Sequence, residues 1–537
     1  MKSMLKSVSI PIGFALLLLI TFVLASMHAG VAKAPKQYVG KTAPLTGVFI
    51  DKEKHGMHQL IVKGDAFERG YNAGHFTAHL LLEQERVLFE QLERMIPNRN
   101  VLKLLTVFGA NWFRGIDKYL ESWATDEMYG VSLSAPKEFD FLADGFTRQI
   151  AYHGLHEVGQ LLVDQGSGFA CTLVAFPFDK SWIIGRNFDF EGGDVFDKEK
   201  ILKWVFPSVG NAYVSVIWSG MVGVVTGVNE HGLYISLNAA GSDHFARIGT
   251  PSTLVILEAL QFANSIDDAI GIFKNRQMFI TDIFILTDSV SGRSVRIEKS
   301  PEKTVVTEMI GPAVVTNHLV TDDFASDEIN EFRKREQTTI ARQERGANLL
   351  AALSRSRPRD QRTAELGVLS ILRDKGEFEG ESLHLNNRSA IDALIAAHAV
   401  VYDAKRMNLF VSQGPGVSGS FTGFDLKKSF TAQTPVVIES LPGDPFVTPE
   451  IFKAVRLSER TLWKARTLIK KDCAKAKVLI EEAKYAFSGS SLYHQVAGNF
   501  AEHCENDLSV AKTHWTTALA LQPAYRKDRL ALEENLK

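Results

Sequence analysis

The sequence predicts an α+β protein in which stacked β-sheets are covered by helices. A helical segment precedes the sheets and a helical extension follows them. Three observations carry this. Apolar β-forming runs bounded by turn residues crowd between residues 171 and 426. Helical periodicity flanks them on both sides. The strand content is too high for a helical bundle, so sheets must be buried against other layers. At 537 residues the chain is also long for one domain, which fits a core with appended units.

The N-terminus carries a topological signal. Lys2 and Lys6 precede an apolar run from Ile10 to Ala25, and small residues follow. This is the layout of a signal peptide spanning residues 1–32, with candidate cleavage points after Ala29 or Ala32. The run is short for a membrane span, which needs about 20 apolar residues. Export is therefore expected, to the periplasm or the medium. The alternative is membrane association through an anchor at residues 10–25.

Residues 33–170 read as mostly helical. His58–Gly64 resembles a short strand, helix follows through Leu80–Gln84, and a second helix is expected over Phe139–Leu162. His153 and His156 lie three apart there, but no third ligand accompanies them, so no metal site is expected. Gly166-Ser167-Gly168 then breaks the helix before Cys171.

Residues 171–440 form the expected core. Gly168–Val174 and Ile183–Phe190 read as two buried strands joined by a tight turn around Phe178-Asp179-Lys180-Ser181. A hairpin there brings Cys171, Arg186 and Asp189 to one rim of one sheet. A guanidinium near a thiol favours the nucleophilic thiolate. The bland alternative is a buried structural cysteine beside a surface ion pair. Further strands are expected at Tyr213–Trp218, Val222–Thr226, Leu233–Leu237, Ile283–Leu286, Ser294–Lys299, Ala399–Tyr402 and Leu409–Val411, with helices at Leu254–Phe262, Ile266–Phe273, Leu349–Leu353 and Leu366–Leu372. Gly414-Pro415-Gly416-Val417-Ser418-Gly419 fits the G-x-G-x-x-G spacing, but no helix start follows it, so a Gly-rich turn is expected and no nucleotide cofactor.

Residues 446–537 are almost wholly helical. Ala476, Ile480 and Ala483 are echoed by Ala511, Trp515 and Ala518, a period of 511 − 476 = 35. This is the spacing of the second helix in tetratricopeptide (TPR) repeats, and it suggests a surface for a protein partner. A plain helical extension packed on the core fits equally. On the repeat reading, Cys473 and Cys504 lie at the same end of neighbouring helices and could be bonded.

Several runs resemble the N-terminal-nucleophile (Ntn) hydrolases, within them the penicillin acyltransferase family, and more distantly the bile-salt hydrolases and acid ceramidases. These are Ala170-Cys171-Thr172, Gly185–Phe190, Gly227–Leu233 with Ser236-Leu237-Asn238, Val315–His318, His398–Asp403 and Gly64–Gly70, in that family's order over residues 58–425. The resemblance implies a four-layer αββα sandwich and self-cleavage between Ala170 and Cys171. It implies that Cys171 is the nucleophile and its freed α-amine the base, since an α-amine with a reference pKa of about 7.7–8.0 suits that task. It further implies that Arg186 sits beside the thiolate, Asp189 orients the amine, and Asn238 and Asn317 donate to the oxyanion. His318 and His398 are expected to be structural.

The function expected is cleavage or transfer of an acyl group at a small-molecule amide through a Cys171 thioester, without cofactor or metal. Export favours hydrolysis over transfer from a cytosolic acyl donor. Lys and Arg number 60 against 62 Asp and Glu, a balance that argues against nucleic acid as partner. Two alternatives stay open: an inactive Ntn-fold scaffold recruiting a peptide through its C-terminal helices, and a lipase-type esterase on the same core.

Overall fold

A computed structural model describes residues 32–96, 98–163, 169–378 and 381–537. The signal-peptide or anchor segment and the Gly166–Gly168 lead lie outside these residues.

Strands β3 (Phe169–Phe178) and β4 (Ser181–Phe190) form the expected hairpin. Asp179 and Lys180 close it with φ of 50° and 61°, the left-handed pair that matches the twist of a two-residue hairpin turn. The register pairs Cys171 with Phe188, Leu173 with Arg186 and Ala170 with Asp189.

Around this hairpin stand two sheets. The first has nine strands in the order β1 (Val48–Ile50), β2 (His58–Gly64), β5 (Ile201–Pro207), β6 (Tyr213–Ile217), β7 (Thr226–Asn229), β8 (Leu233–Ala239), β9 (Asp282–Asp288), β10 (Ser294–Lys299) and β11 (Thr304–Glu308). The second has seven, in the order β12 (Ala313–Val315), β3, β4, β13 (Ala396–Asp403), β14 (Asn408–Ser412), β15 (Phe421–Asp425) and β16 (Val437–Leu441). Alternation along the strands makes the layers. Leu173, Ile184, Val400 and Tyr402 of the second sheet pack against Trp204, Val214, Tyr234 and Ile285 of the first. Tyr234 and Tyr402 stack with centroids 5.4 Å apart.

The outer face of the first sheet is covered by helices α1 (Ala66–Met95), α3 (Ser122–Ser132), α4 (Gly145–Val163), α5 (Ser252–Phe262) and α6 (Ile266–Asn275), with α2 (Arg99–Trp112) between α1 and α3 in the chain. After α7 (Glu328–Glu336), helices α8 (Thr339–Ser356) and α9 (Gln361–Leu372) cover the outer face of the second sheet, where Leu350 and Val368 meet Val174 and Ile183. The result is the four-layer αββα sandwich.

The Gly64–Gly70 run is the joint of the N-terminal segment. Asp65 and Glu68 cap α1 reciprocally. At Gly70 a Cβ would stand 1.9 Å from the Glu127 carbonyl, so only glycine lets α1 and α3 approach this closely. Arg69 bonds the buried Glu127 at 2.7 Å, and Glu127 also takes Lys203 of β5 at 2.7 Å.

Two sequence expectations change and one is extended. The strand expected at His58–Gly64 is β2; β1 pairs with it, and β2 runs parallel to β5 in the nine-stranded sheet. The helix expected from Phe139 begins at Gly145, because the Asp144 carboxylate accepts the Phe146 and Thr147 N–H groups and sets the start there. The strand expected at Val222–Thr226 starts only at Thr226. Val222 and Gly223 instead donate their N–H groups to His153 Nε2, which takes them out of the ladder.

The C-terminal helices are α10 (Pro449–Leu468), α11 (Cys473–Phe487), α12 (Ser491–Phe500), α13 (Leu508–Ala520) and α14 (Arg526–Leu536). The six positions of the 35-residue echo are all buried. Cys473 and Cys504 form a disulfide with Cα atoms 5.7 Å apart. Glu459, Trp463 and Arg466 of α10 and Ser491 and Gln495 of α12 face residues 384–388 of the core across a cavity of about 580 Å³. Arg388 crosses to bond Glu459 at 2.9 Å.

Candidate active site

Cys171 lies near the start of β3, on the face turned toward the first sheet, and is 1% exposed. Arg186 shares that face through its register with Leu173, and its Nη2 stands 3.6 Å from Cys171 Sγ. The guanidinium is over-determined. It donates to the Val225 carbonyl at 3.2 Å, to Thr226 Oγ1, to the Leu237 carbonyl and to Asn238 Oδ1 at 3.4 Å. It also lies over the Phe188 ring, 4.9 Å from its centroid, and Phe188 stacks on His398. Burial pushes the Cys171 thiol up, with the Arg186 charge and a backbone hydrogen bond from Ala239 acting the other way. In the intact chain the sulfur is therefore a thiol held beside the cation that would stabilise its thiolate.

Asp189 shares the rim but not the face. Residues 186 and 189 are an odd number apart, so a regular strand points them to opposite sides. Asp189 is registered with Ala170 and lies on the outer face, away from the sulfur. The clustering of all three side chains expected from the hairpin is thus corrected to Cys171 and Arg186 on one face and Asp189 behind them. Asp189 is 1% exposed, and burial lifts its carboxyl to about 7, with Arg342 the main charge acting against the shift. An acid raised in the folded state favours folding at low pH. Its contribution is lost as pH rises from the unfolded pKa of about 3.9 through 7. In the uncleaved Cys171→Ala background, Asp189→Asn should be more stable than its parent above pH 7, and the gap should close toward pH 4. Chemical denaturation across that range checks this.

The two asparagines also take other partners than an oxyanion. Asn317 Oδ1 accepts the Cys171 backbone N–H at 2.9 Å, and its Nδ2 donates to the Ala239 carbonyl at 2.8 Å. It holds the very nitrogen that cleavage would free. Asn238 Nδ2 donates to the Val315 and Thr316 carbonyls at 3.0 and 3.1 Å, while its Oδ1 accepts from Arg186. Asn238 thus ties the arginine to β12. His318 is bonded to Thr339 Oγ1 at 2.8 Å, with its pKa lowered to about 4 by burial. His398 is held neutral by burial and by Arg186, and bonds Thr226 Oγ1 at 3.0 Å.

Arg342 is the residue sequence reasoning missed. From the first turn of α8 it donates to the Cys171 carbonyl at 2.6 Å, Thr172 Oγ1 at 2.9 Å and Asn317 Oδ1 at 2.8 Å. It is 2% exposed and lies 171 residues after the cysteine, with no local motif around it.

An apolar cavity of about 340 Å³ adjoins this cluster. Phe188, the cross-strand partner of Cys171, and Val225, whose carbonyl holds Arg186, form its inner wall. Phe196, Trp218, Leu81 and Leu88 line its sides.

Residues 178–386 match the family described as Acyl-coenzyme A:6-aminopenicillanic acid acyl-transferase. Over those residues the core is similar to that family. The matched stretch includes Arg186, Asp189, Asn238, Asn317 and Arg342, and begins seven residues after Cys171. An uncharacterized protein of Archaeoglobus fulgidus is 25% identical over 282 residues, 48% of this chain; the chain spans 45% of that relative's length. Among solved structures, the Caenorhabditis elegans N-acylethanolamine-hydrolyzing acid amidase ortholog aligns at TM-score 0.32 and 16% identity, over 50% of this chain and all of that one. A conjugated bile acid hydrolase from Clostridium perfringens aligns at TM-score 0.35 and 13% identity, over 52% of this chain and 100% of its own.

Proposed function

We propose that this chain is a self-cleaving N-terminal-cysteine amidohydrolase acting on amides of lipophilic acyl groups. One observation carries the proposal: the Cys171 thiol, 3.6 Å from the Arg186 guanidinium, is paired across the hairpin with Phe188, which lines an apolar cavity of about 340 Å³. In maturation the Cys171 sulfur attacks the Ala170 carbonyl, the C–N bond breaks and a thioester forms. Water then releases the Ala170 carboxylate and leaves Cys171 with a free α-amine. Asn317 Oδ1, already bonded to that nitrogen, orients the amine. In turnover the amine takes the thiol proton as sulfur attacks the substrate carbonyl, and returns it to the leaving amine. Water resolves the acyl-enzyme. Arg186 holds the thiolate, and Arg342 fixes the Cys171 carbonyl so that the sulfur and amine keep their geometry. The Cys473–Cys504 disulfide and the Ile10–Ala25 run support an exported protein, where hydrolysis rather than transfer is the natural outcome.

Acyl p-nitroanilides of increasing chain length test the substrate class. Each added methylene should raise kcat/KM about fourfold until the cavity is filled, following about 0.8 kcal/mol per buried methylene. A flat profile, or a maximum at acetyl, would contradict the acyl-chain assignment.

A further inference from the structure

Between β6 and β7 the chain runs through residues 218–225, a loop that belongs to no strand. Trp218, Ser219, Gly220, Met221 and Val225 of this loop line the apolar cavity. Its far end carries two of the acceptors of Arg186, the Val225 carbonyl and, one residue on, Thr226 Oγ1. Without a ladder, the loop's buried amides need other partners. Met221 donates to the Trp218 carbonyl, and Val224 to the Thr253 carbonyl of α5. The two amides between them, of Val222 and Gly223, both donate to one atom, Nε2 of His153, at 2.9 and 3.0 Å. His153 is 4% exposed, and its Nδ1 stands 2.7 Å from the Gln149 carbonyl. These partners fix the state of the ring. A carbonyl can only accept, so Nδ1 carries the hydrogen; the two amides can only donate, so Nε2 is bare.

We infer that His153 is a positioning residue for this site: its neutral ring holds the loop that sets Arg186 beside the Cys171 sulfur, and protonation of Nε2 lets that loop go. The inference rests on the amidohydrolase proposed above, in which Arg186 holds the thiolate. A proton on Nε2 would face two N–H groups, so both bonds would be lost together and two amides left without an acceptor. Val225 and Thr226 would shift with the loop, and the guanidinium with them. The titratable groups on the neighbouring elements are engaged elsewhere. The loop itself has none. Glu85 of α1 shares the cavity but takes Arg148 and Tyr152 of α4. Glu258 of α5 is paired with Arg276, Glu127 of α3 with Arg69 and Lys203, and Asp126 of α3 accepts from Gln37. His153 also precedes Cys171, so the piece that cleavage would separate stays a working part of the site.

Cys171 is the free thiol of the chain, because Cys473 and Cys504 are bonded to each other, so alkylation by iodoacetamide reads it alone. Wild type is compared with His153→Leu and His153→Gln; glutamine keeps an acceptor in place of Nε2 and does not titrate. His153→Leu should slow alkylation at pH 7 about tenfold, the change expected when a thiol pKa rises by about one unit. His153→Gln should recover most of that loss. From pH 7 down to pH 5, the wild-type rate divided by the His153→Gln rate should fall severalfold. Titrations of the thiol and the α-amine are common to both proteins and cancel in this ratio. A flat ratio, an unchanged rate in His153→Leu, or a thiol inert in every form overturns the inference. Turnover of decanoyl p-nitroanilide tests the reaction separately. A falling ratio without turnover sinks the amidohydrolase alone, and turnover with a flat ratio sinks the inference alone.

Discussion

Cys171→Ala should remain a single chain and lose all measurable amide hydrolysis. One substitution removes both the group that attacks the Ala170 carbonyl and the group that attacks substrate, so neither step has a substitute nearby. The sulfur is buried, and its designated neighbour is Arg186, a cation that cannot serve as nucleophile. Cys171→Ser separates the steps. A hydroxyl can still make the acyl shift where the precursor geometry presses it on the carbonyl, but it is the weaker nucleophile, so slow or partial cleavage with little turnover is expected. Gel analysis over days, alongside p-nitroanilide assays, reads both. Full activity in Cys171→Ala would move the chemistry elsewhere in the molecule.

Arg342→Met should lower kcat by about 10²-fold or more with KM changed little, and should slow maturation. The side chain touches no part of the apolar cavity, so substrate binding has little reason to change. It does hold the Cys171 carbonyl, Thr172 and Asn317 together, and Asn317 in turn holds the Cys171 nitrogen. Misplacing a reacting group by an ångström is enough for a loss of this size. Burial disfavours the Arg342 cation, and Asp189 is the main charge that offsets this. The methionine variant removes one partner of a buried pair and leaves Asp189 and three acceptors without the cation, so a loss of stability should accompany the loss of activity. Steady-state kinetics with thermal denaturation distinguish this from plain unfolding. A KM effect with intact kcat would assign Arg342 to substrate binding instead.

The parts of the site that local pattern encodes were legible in the sequence. The β3–β4 hairpin follows from two apolar runs around Asp179-Lys180, and it alone brings Arg186 to Cys171. The face of Asp189 was equally legible, because an odd separation on a strand decides it, yet proximity in the motif suggested a cluster. The Cys473–Cys504 bridge could be anticipated from the helical period that sets both residues at one end of a helix pair. Other features were out of reach. Arg342 comes from a helix whose local pattern says only amphipathic, and its role is created by tertiary packing. The displaced start of β7 depends on His153, some seventy residues earlier, taking two amides that strand propensity would have placed in a ladder. Likewise, β2 was legible at His58–Gly64, but its parallel pairing with β5 beyond Cys171 is set by tertiary packing and not by local pattern.

That pairing bears on maturation. With β2 built into the nine-stranded sheet and Glu127 bonded to Lys203, the segment before Cys171 cannot leave without dismantling the core. The cleaved protein should therefore keep both pieces together in native solution and separate only in denaturant. Intact-mass analysis of purified, active wild type under denaturing conditions is the most direct measurement. Two chains are expected, the second beginning at Cys171 and containing 537 − 170 = 367 residues. An active enzyme found as one uncleaved chain would have no free α-amine at Cys171, and the self-cleaving mechanism would be wrong.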